Sequence, residues 1–310
     1  MLFSLTPKAK KEDLFDRGRE FEELDKLLRL YPIVVVSGLR RVGKSSLVRV
    51  FLNETNRPHV FVDGRRLYES SKGNISLLHL SKVLKDELSK FSKSQLVMNF
   101  ISRIRGITVN GSSLEINPRE LDLGDLFEKF NEIARKQNKH FVIFFDEAQY
   151  LRYYGSKGGN DLLALLACTY DHLESVRILI TGSEIGALHD FLKLEDYNSQ
   201  LYGRGIGFLT LKPFSPEESA RFLQRGFEEL NEKVDFDIQE VVQQLDGTAG
   251  YLVLFGIKYL ENKDEKRALA EVFHTARSLF EKEISELIKR NPRYIIILKQ
   301  IANGQAVGLQ

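Results

Sequence analysis

The sequence predicts an α/β fold: a central parallel sheet flanked by helices, continued by an all-helical region. Three stretches carry that prediction. Residues 33–52, IVVVSGLRRVGKSSLVRVFL, read as a short buried strand, a glycine loop and a helix with a wide apolar face. Residues 141–147, FVIFFDE, are a continuous apolar run closed by two acids, as expected of a strand buried on both faces. Residues 177–183, RILITGS, form another such strand, ending in hydroxyls.

The first stretch carries the chemistry. Gly38, four residues, then Gly43, Lys44 and Ser45 give the G-x-x-x-x-G-K-S spacing of a phosphate-binding loop. Such a loop wraps backbone N–H groups around phosphates, so side chains must stay out of the way. Gly38 and Gly43 lack Cβ, and Leu39, Arg40, Arg41, Val42 and Ser46 complete the run of binding positions. The helix that starts at the loop points its free N–H groups at the anion. Lys44 is expected to reach the β/γ-phosphate oxygens and Ser45 to bind Mg²⁺. Asp146 ends its strand at the carboxyl edge, where open α/β sheets bind ligands, and is expected to hold the Mg²⁺ water shell. Glu147 follows as the base that orients and deprotonates water. These features define the P-loop NTPase fold class, with a central parallel sheet.

Weaker candidates surround that set. Gln149 either positions water or is a surface residue. Ser183 either senses the γ-phosphate or closes a strand-end turn. Arg204, ahead of a strand near 207–211, either reaches γ-phosphate charge, in cis or from a neighbouring subunit, or lies on the surface.

Composition narrows the class. A chain of 310 residues suits one large domain and a smaller one. Net charge of +2 gives no global signature of nucleic-acid binding. A charged fraction of 28% fits a thermophile. The single cysteine, Cys168, excludes a disulfide framework, points to a reducing, cytoplasmic compartment and is expected as a buried small hydrophobe. The six histidines show no metal-ligand spacing, and neither a signal peptide nor a bilayer-spanning run is evident.

Taken in order, residues 1–13 are expected as a loose lead-in. FDRGRE at 15–20 precedes a helix bearing Phe21, Leu24, Leu27 and Leu28, with Asp16 as candidate cap. This segment either lies over an adenine, with Arg17 among the binding residues, or is an ordinary surface helix. Residues 59–62 read as a second strand and 74–91 as a helix. Residues 92–120 are an insertion holding a hairpin over 107–116, turned at Asn110-Gly111; Arg103 and Arg105 beside it face a partner or solvent. Helices follow at 121–136 and 161–173, with a flexible GSKGG between them at 155–159. Pro213 and Pro216 mark a boundary, which makes 1–213 the core. Residues 214–290 read as a helical domain, and 291–310 open a further helix.

With these residues assembled, the chain resembles the archaeal ATPase family, a branch of the AAA+-like and STAND-like phosphate-loop ATPases. The carriers are FDRGREFEEL, SGLRRVGKSSL, FVIFFDEAQ, ILITGS, LYGR before LTLKPFS, and GTAGYL, in which Ala249 replaces a proline common among relatives. The resemblance implies an AAA+/ASCE-like sheet with the Thr181 strand between the loop strand and the Asp146 strand. It also implies a helical lid at 214–290 and the start of a winged helix at 291–310. The implied activity is Mg²⁺-dependent hydrolysis of ATP to ADP, coupled to lid movement and a partner. DNA docking through the winged helix, a protein client and an oligomer are possible extensions, without membrane association. Two other classes stay open: a slow-turnover nucleotide switch, and a small-molecule kinase, which the water-activating position of Glu147 disfavours.

Overall fold

The computed structural model describes residues 1–111 and 113–303. It divides into two compact units, one spanning Thr6–Pro213 and the other joining Met1–Leu5 to the chain from Phe214 onward.

In the larger unit the elements run α1 (Gly18–Leu30), β1 (Ile33–Gly38), α2 (Lys44–Glu54), β2 (His59–Asp63), α3 (Gly64–Ser70), α4 (Leu77–Ser89) and α5 (Gln95–Ile101). Then come β3 (Ile107–Asn110), β4 (Ser113–Ile116), α6 (Leu123–Gln137), β5 (Phe141–Asp146), α7 (Asn160–His172), β6 (Val176–Thr181), α8 (Ile185–Leu192) and β7 (Gly207–Leu211). Five of the strands form a parallel sheet in the order β2-β5-β6-β1-β7. The Thr181 strand therefore lies between the loop strand and the Asp146 strand, as the resemblance implied. The register pairs Val36 with Thr181, Phe145 with Ile180 and Asp63 with Asp146, so these strand ends share one edge.

Alternation along the strands sorts the core onto two faces. Val34, Val36, Val142, Phe144 and Leu179 pack with Leu24 and Leu28 of α1 and Leu47 and Phe51 of α2. Ile33, Val35, Phe141, Ile143 and Ile178 pack with Leu126, Phe130 and Ile133 of α6. Phe130 stacks on Phe141 with centroids 4.1 Å apart. Asp122 caps α6, accepting from the Gly124 N–H at 2.7 Å. The expected insertion is α5 and the β3–β4 hairpin, which bury Val97, Met98, Ile101, Ile107 and Leu114 in the same face. Residue 112 lies outside the described residues.

The smaller unit contains α9 (Pro216–Glu228), α10 (Ile238–Leu245), α11 (Ala249–Asn262), α12 (Glu265–Arg290) and α13 (Tyr294–Ala302). Ser215 and Glu218 form a capping box at the head of α9. Residues 1–5 are not a loose lead-in. Phe3 packs edge-on against Phe227, centroids 5.0 Å apart, and a Cβ on Gly226 or Gly256 would sit 2.3 or 2.6 Å from its ring. The Leu2 N–H donates to Glu229 Oε2 at 2.8 Å. Lys8, also in the expected lead-in, donates its N–H to Ser46 Oγ at 3.1 Å within the larger unit.

Other expectations need correction. Cys168 is exposed on α7, because Leu163, Leu166 and Ala167 take the buried positions of that helix. Arg17, and not Asp16, occupies the cap position of α1, without a side-chain cap bond. Of the expected winged-helix start, α13 is the element described, and residues 304–310 lie outside the described residues. Among the described residues, no helix is long and apolar enough to cross a membrane.

Candidate active site

The loop between β1 and α2 is shaped by backbone conformations that the sequence spacing anticipates. Gly38 has φ of +144°, and a Cβ there would lie 2.5 Å from the Leu211 carbonyl oxygen. Only glycine lets β7 approach the loop this closely. Gly43 has φ of +105°, and nothing lies within 4 Å of its Cβ position. It caps α2 and leaves the head of that helix open, the concave backbone that a phosphate chain fits. Arg41 is also left-handed, at φ +67°.

Lys44 is buried and donates to the carbonyl oxygens of Gly38 and Leu39, both at 2.9 Å. Burial lowers its pKa to about 8, against the opposing pull of Glu147 and Asp146. Ser45, one residue on, donates to Asp146 Oδ1 at 2.9 Å. Thr181, across the β5–β6 seam, donates to the same oxygen and accepts from the Glu147 N–H at 3.2 Å. One hydroxyl thus fixes both acids.

The two carboxyls sit in opposed environments. Burial raises the Asp146 pKa, partly offset by the Thr181 and Ser45 hydroxyls. Burial also pushes Glu147 upward, but Ser183, Arg65, Gln149 and Lys44 outweigh it and hold Glu147 below its ordinary value. Glu147 Oε2 accepts from Ser183 Oγ and Gln149 Nε2, each at 2.6 Å, and from Arg65 Nη2 at 3.4 Å. The Glu147 backbone is left-handed, at φ +51°, which for a non-glycine residue costs about 1–3 kcal/mol. Gly64 makes room for this kink: a Cβ there would lie 2.7 Å from the Glu147 carbonyl oxygen.

Most of the expected residues therefore converge. Gly38, Gly43, Lys44, Ser45, Asp146, Glu147 and Ser183 gather at the carboxyl edge of the sheet, and Arg40 joins the rim through Glu184 at 3.8 Å. Leu39 stands exposed and Val42 is buried, so both offer backbone rather than side chain. Gln149 is 1% exposed and bonded to Glu147, which rules out the surface reading.

Two candidates are placed differently. Arg17 stands behind the loop, where its guanidinium donates to the carbonyls of Val42 and Lys212, at 3.3 and 2.9 Å, and pairs with Glu20. It braces the loop instead of facing phosphate. Arg204 precedes β7 and so lies at the amino edge, a strand's length from the loop. There it pairs with Asp171 at 2.5 Å and donates to the Gln200 carbonyl. It cannot reach the loop of its own chain. Arg65 joins the candidate site without being singled out in the sequence, and Thr181 is legible there only as one of the hydroxyls that end its strand. Their signal is positional: Thr181 ends β6 and Arg65 lies in the first turn of α3, just past the end of β2, and both strands flank β5.

The donor set can be tested against a metal. Among the described residues, no trio of His, Cys, Asp and Glu converges on a metal-sized site. A hydroxyl and one carboxylate, Ser45 and Asp146, instead suit Mg²⁺, which keeps several waters and shares substrate phosphate oxygens.

Known proteins share this fold and identify its family. The model of an ATPase domain predominantly from Archaea matches residues 14–255. The Walker-type ATPase PABY2304 of Pyrococcus abyssi is 46% identical, over 98% of this chain and 84% of its own, with a TM-score of 0.84. The ORC2 protein of Aeropyrum pernix, solved in ADPNP and ADP complexes, shares the fold at a TM-score of 0.57. It is 14% identical, over 87% of this chain and 69% of its own. No curated protein matches. A family match across most of the chain, together with a solved relative sharing nearly half its residues, establishes that this protein belongs to the archaeal ATPase family and is a P-loop ATPase.

Proposed function

We propose that the protein hydrolyses Mg-ATP at the head of α2, with Asp146 organising the metal and Glu147 acting as base. The observation that carries the reading is the single hydrogen-bonded network joining Ser45, Asp146, Thr181 and Glu147. The backbone N–H groups from Leu39 to Ser46 and the Lys44 ammonium would hold the phosphates. When bound, Mg²⁺ would supply charge neutralisation of the phosphate oxygens. Lys44 would leave the Gly38 and Leu39 carbonyls for the phosphates, and Ser45 would turn its oxygen from Asp146 to the metal. Glu147 stays ionised because four neighbours favour its charged form, and its Oε1 stands clear of the three donors on Oε2. From there it orients a water and accepts its proton. Ser183 reports on the γ-phosphate through Glu147.

The test is phosphate release from Mg-ATP without any acceptor. Glu147→Gln is expected to retain ATP while turnover falls by about 10²–10⁴-fold. Turnover near that of the parent chain would remove Glu147 as the base.

A second reading, a slow-turnover switch, draws on the same residues. Three donors converge on one oxygen of the base, which restrains it from swinging toward a water. In that reading purified protein carries ADP, and nucleotide state passes to the helical unit and a partner. Hydrogen exchange of α9 to α12 compared between ADP and a non-hydrolysable ATP analogue decides the point. Identical exchange in both states would exclude the coupling.

A further inference from the structure

The opposite edge of the same sheet carries a feature that ATP hydrolysis does not use. A cleft of about 630 Å³ opens among the residues that lead into β2, β5 and β6. Its wall carries Arg29, Arg57, Arg135, Lys139 and His140 against a single lining carboxylate, Glu174. The length of β5 separates it from Asp146, roughly 20 Å at ~3.3 Å per residue.

Arg57 and the neighbouring Arg177 are held in place, whereas Arg29 and Arg135 extend into solvent. Arg57 is 12% exposed; one terminal nitrogen bonds Asp25 Oδ1 at 2.5 Å, and the other is buried without a hydrogen-bond partner. Arg177, close behind, is fixed by the carbonyls of Leu28, Glu174 and Val176, so its charge cannot move away. Lys139 is anchored to the Asn56 carbonyl at 2.8 Å. The field of this group registers on His140, whose pKa falls to about 4 through burial and then through Arg177, Arg57 and Arg29. The acids that face it do not balance that field. Asp25 is shared between Arg57 and Arg29, and Glu174, 84% exposed, pairs with Arg135 at 3.4 Å.

We propose that this cleft is a second anion site, which binds a compact small molecule carrying two or more linked phosphate groups. Guanidinium planes match phosphate oxygens in pairs, and fixed, crowded cations gain most from a multiply charged ligand. The volume falls within the range of about 300–1,000 Å³ typical of small-ligand sites. The recess of Arg57 and His140 favours a small molecule over a nucleic-acid duplex. A duplex would lie across the exposed Arg135 and Lys139 without entering.

The test uses the full chain carrying Lys44→Ala, which removes the loop lysine, titrated with inorganic tripolyphosphate by calorimetry. One salt-sensitive binding event is expected to remain. Adding Arg135→Gln with Lys139→Gln, both at exposed positions, should weaken it at least about tenfold. Arg57→Gln should weaken it likewise, with thermal melting confirming that the variant is folded. Bound tripolyphosphate should also raise the His140 pKa, followed by NMR on the ring resonance that His140→Gln deletes. Absence of binding, or binding indifferent to these substitutions, overturns the proposal. So does duplex DNA binding through these side chains while tripolyphosphate does not bind, which would assign the cleft to nucleic acid.

Discussion

At the carboxyl edge of the sheet, charge of both signs is interleaved. Asp146 takes hydroxyl donors, Glu147 takes Ser183, Gln149 and Arg65, and Lys44 lies between backbone carbonyls. At the amino edge Arg57, Arg177 and Lys139 crowd together, and His140 is driven neutral. Both edges are built on the same strands, so the sheet does not dictate the difference. A site that performs chemistry must hold an acid ionised and a metal ligand ready, which takes opposed, mutually bonded groups. A site that only binds an anion needs nothing but accumulated positive charge.

Substitutions at each edge put that contrast to the test. The largest effect is expected from Lys44→Ala, about a hundredfold loss of ATP affinity from removing a charge-assisted contact, measured by equilibrium titration. Because Lys44 stays protonated only up to about pH 8 in the nucleotide-free chain, affinity of the parent protein should fall as pH rises beyond that value. Its folded pKa lies below the unfolded 10.5, so the unfolded chain holds more protons between the two, and this residue makes stability rise with pH across that window. An affinity flat from pH 7 to 10 would mean that the ammonium does not contact phosphate.

Next in size is Gly38→Ala. The added methyl meets the Leu211 carbonyl in a left-handed conformation, which should destabilise the fold by about 1–3 kcal/mol, read from denaturant midpoints. An unchanged midpoint would show that the loop and β7 are not packed this closely.

Asp146→Asn tests the opposition of the two acids. The folded Asp146 pKa is raised, so its favourable contribution belongs to low pH and is lost as pH rises through the folded value. At neutral pH the amide should therefore stabilise the nucleotide-free chain, by on the order of 1 kcal/mol, because it no longer buries a charge. Mg²⁺-dependent turnover should disappear in the same variant. Glu147 runs the other way: its contribution is present above the unfolded value near 4.5 and lost as pH falls through the lower folded one. A melt showing Asp146→Asn destabilised at pH 7 would contradict the assigned environment.

The smallest effect is expected from Arg204→Gln, about twofold or less in the turnover of a dilute, lone chain, because an exposed ion pair contributes little. A larger loss that grows with protein concentration would reveal a neighbouring copy using this arginine.

The sequence makes local chemistry legible and leaves spatial neighbours obscure. Gly38 to Ser45 and the Asp146-Glu147 pair can be read because their function depends on spacing within one turn or one strand end. Thr181 and Ser183 are half legible, as hydroxyls closing a strand whose neighbour only the sheet order reveals. Arg204 misleads because an arginine just ahead of a strand looks close to the site, yet in a parallel sheet the residue before a strand lies at the edge away from the loop. Arg17 brings together Val42 and Lys212, a contact across most of the core that no local pattern encodes. Arg65 becomes visible only when β2 is seen beside β5. The lead-in defeats a local reading for a similar reason: Leu2 and Phe3 find their partners more than two hundred residues away.

That last arrangement sets an order of events during folding. The unit holding Phe3 is assembled from two pieces of chain with the whole α/β core strung between them. Joining such pieces across more than two hundred residues of unstructured chain costs roughly 5 kcal/mol in closure entropy. Folding the core first shortens that span, because the Arg17 side chain, in the segment that follows the amino-terminal joint, bonds the carbonyl of Lys212 beside the other. Pulse-labelled hydrogen exchange should find β1, β5 and β6 protected before α9 and α11, which makes the sheet a template for closing the helical unit as well as a platform for its sites.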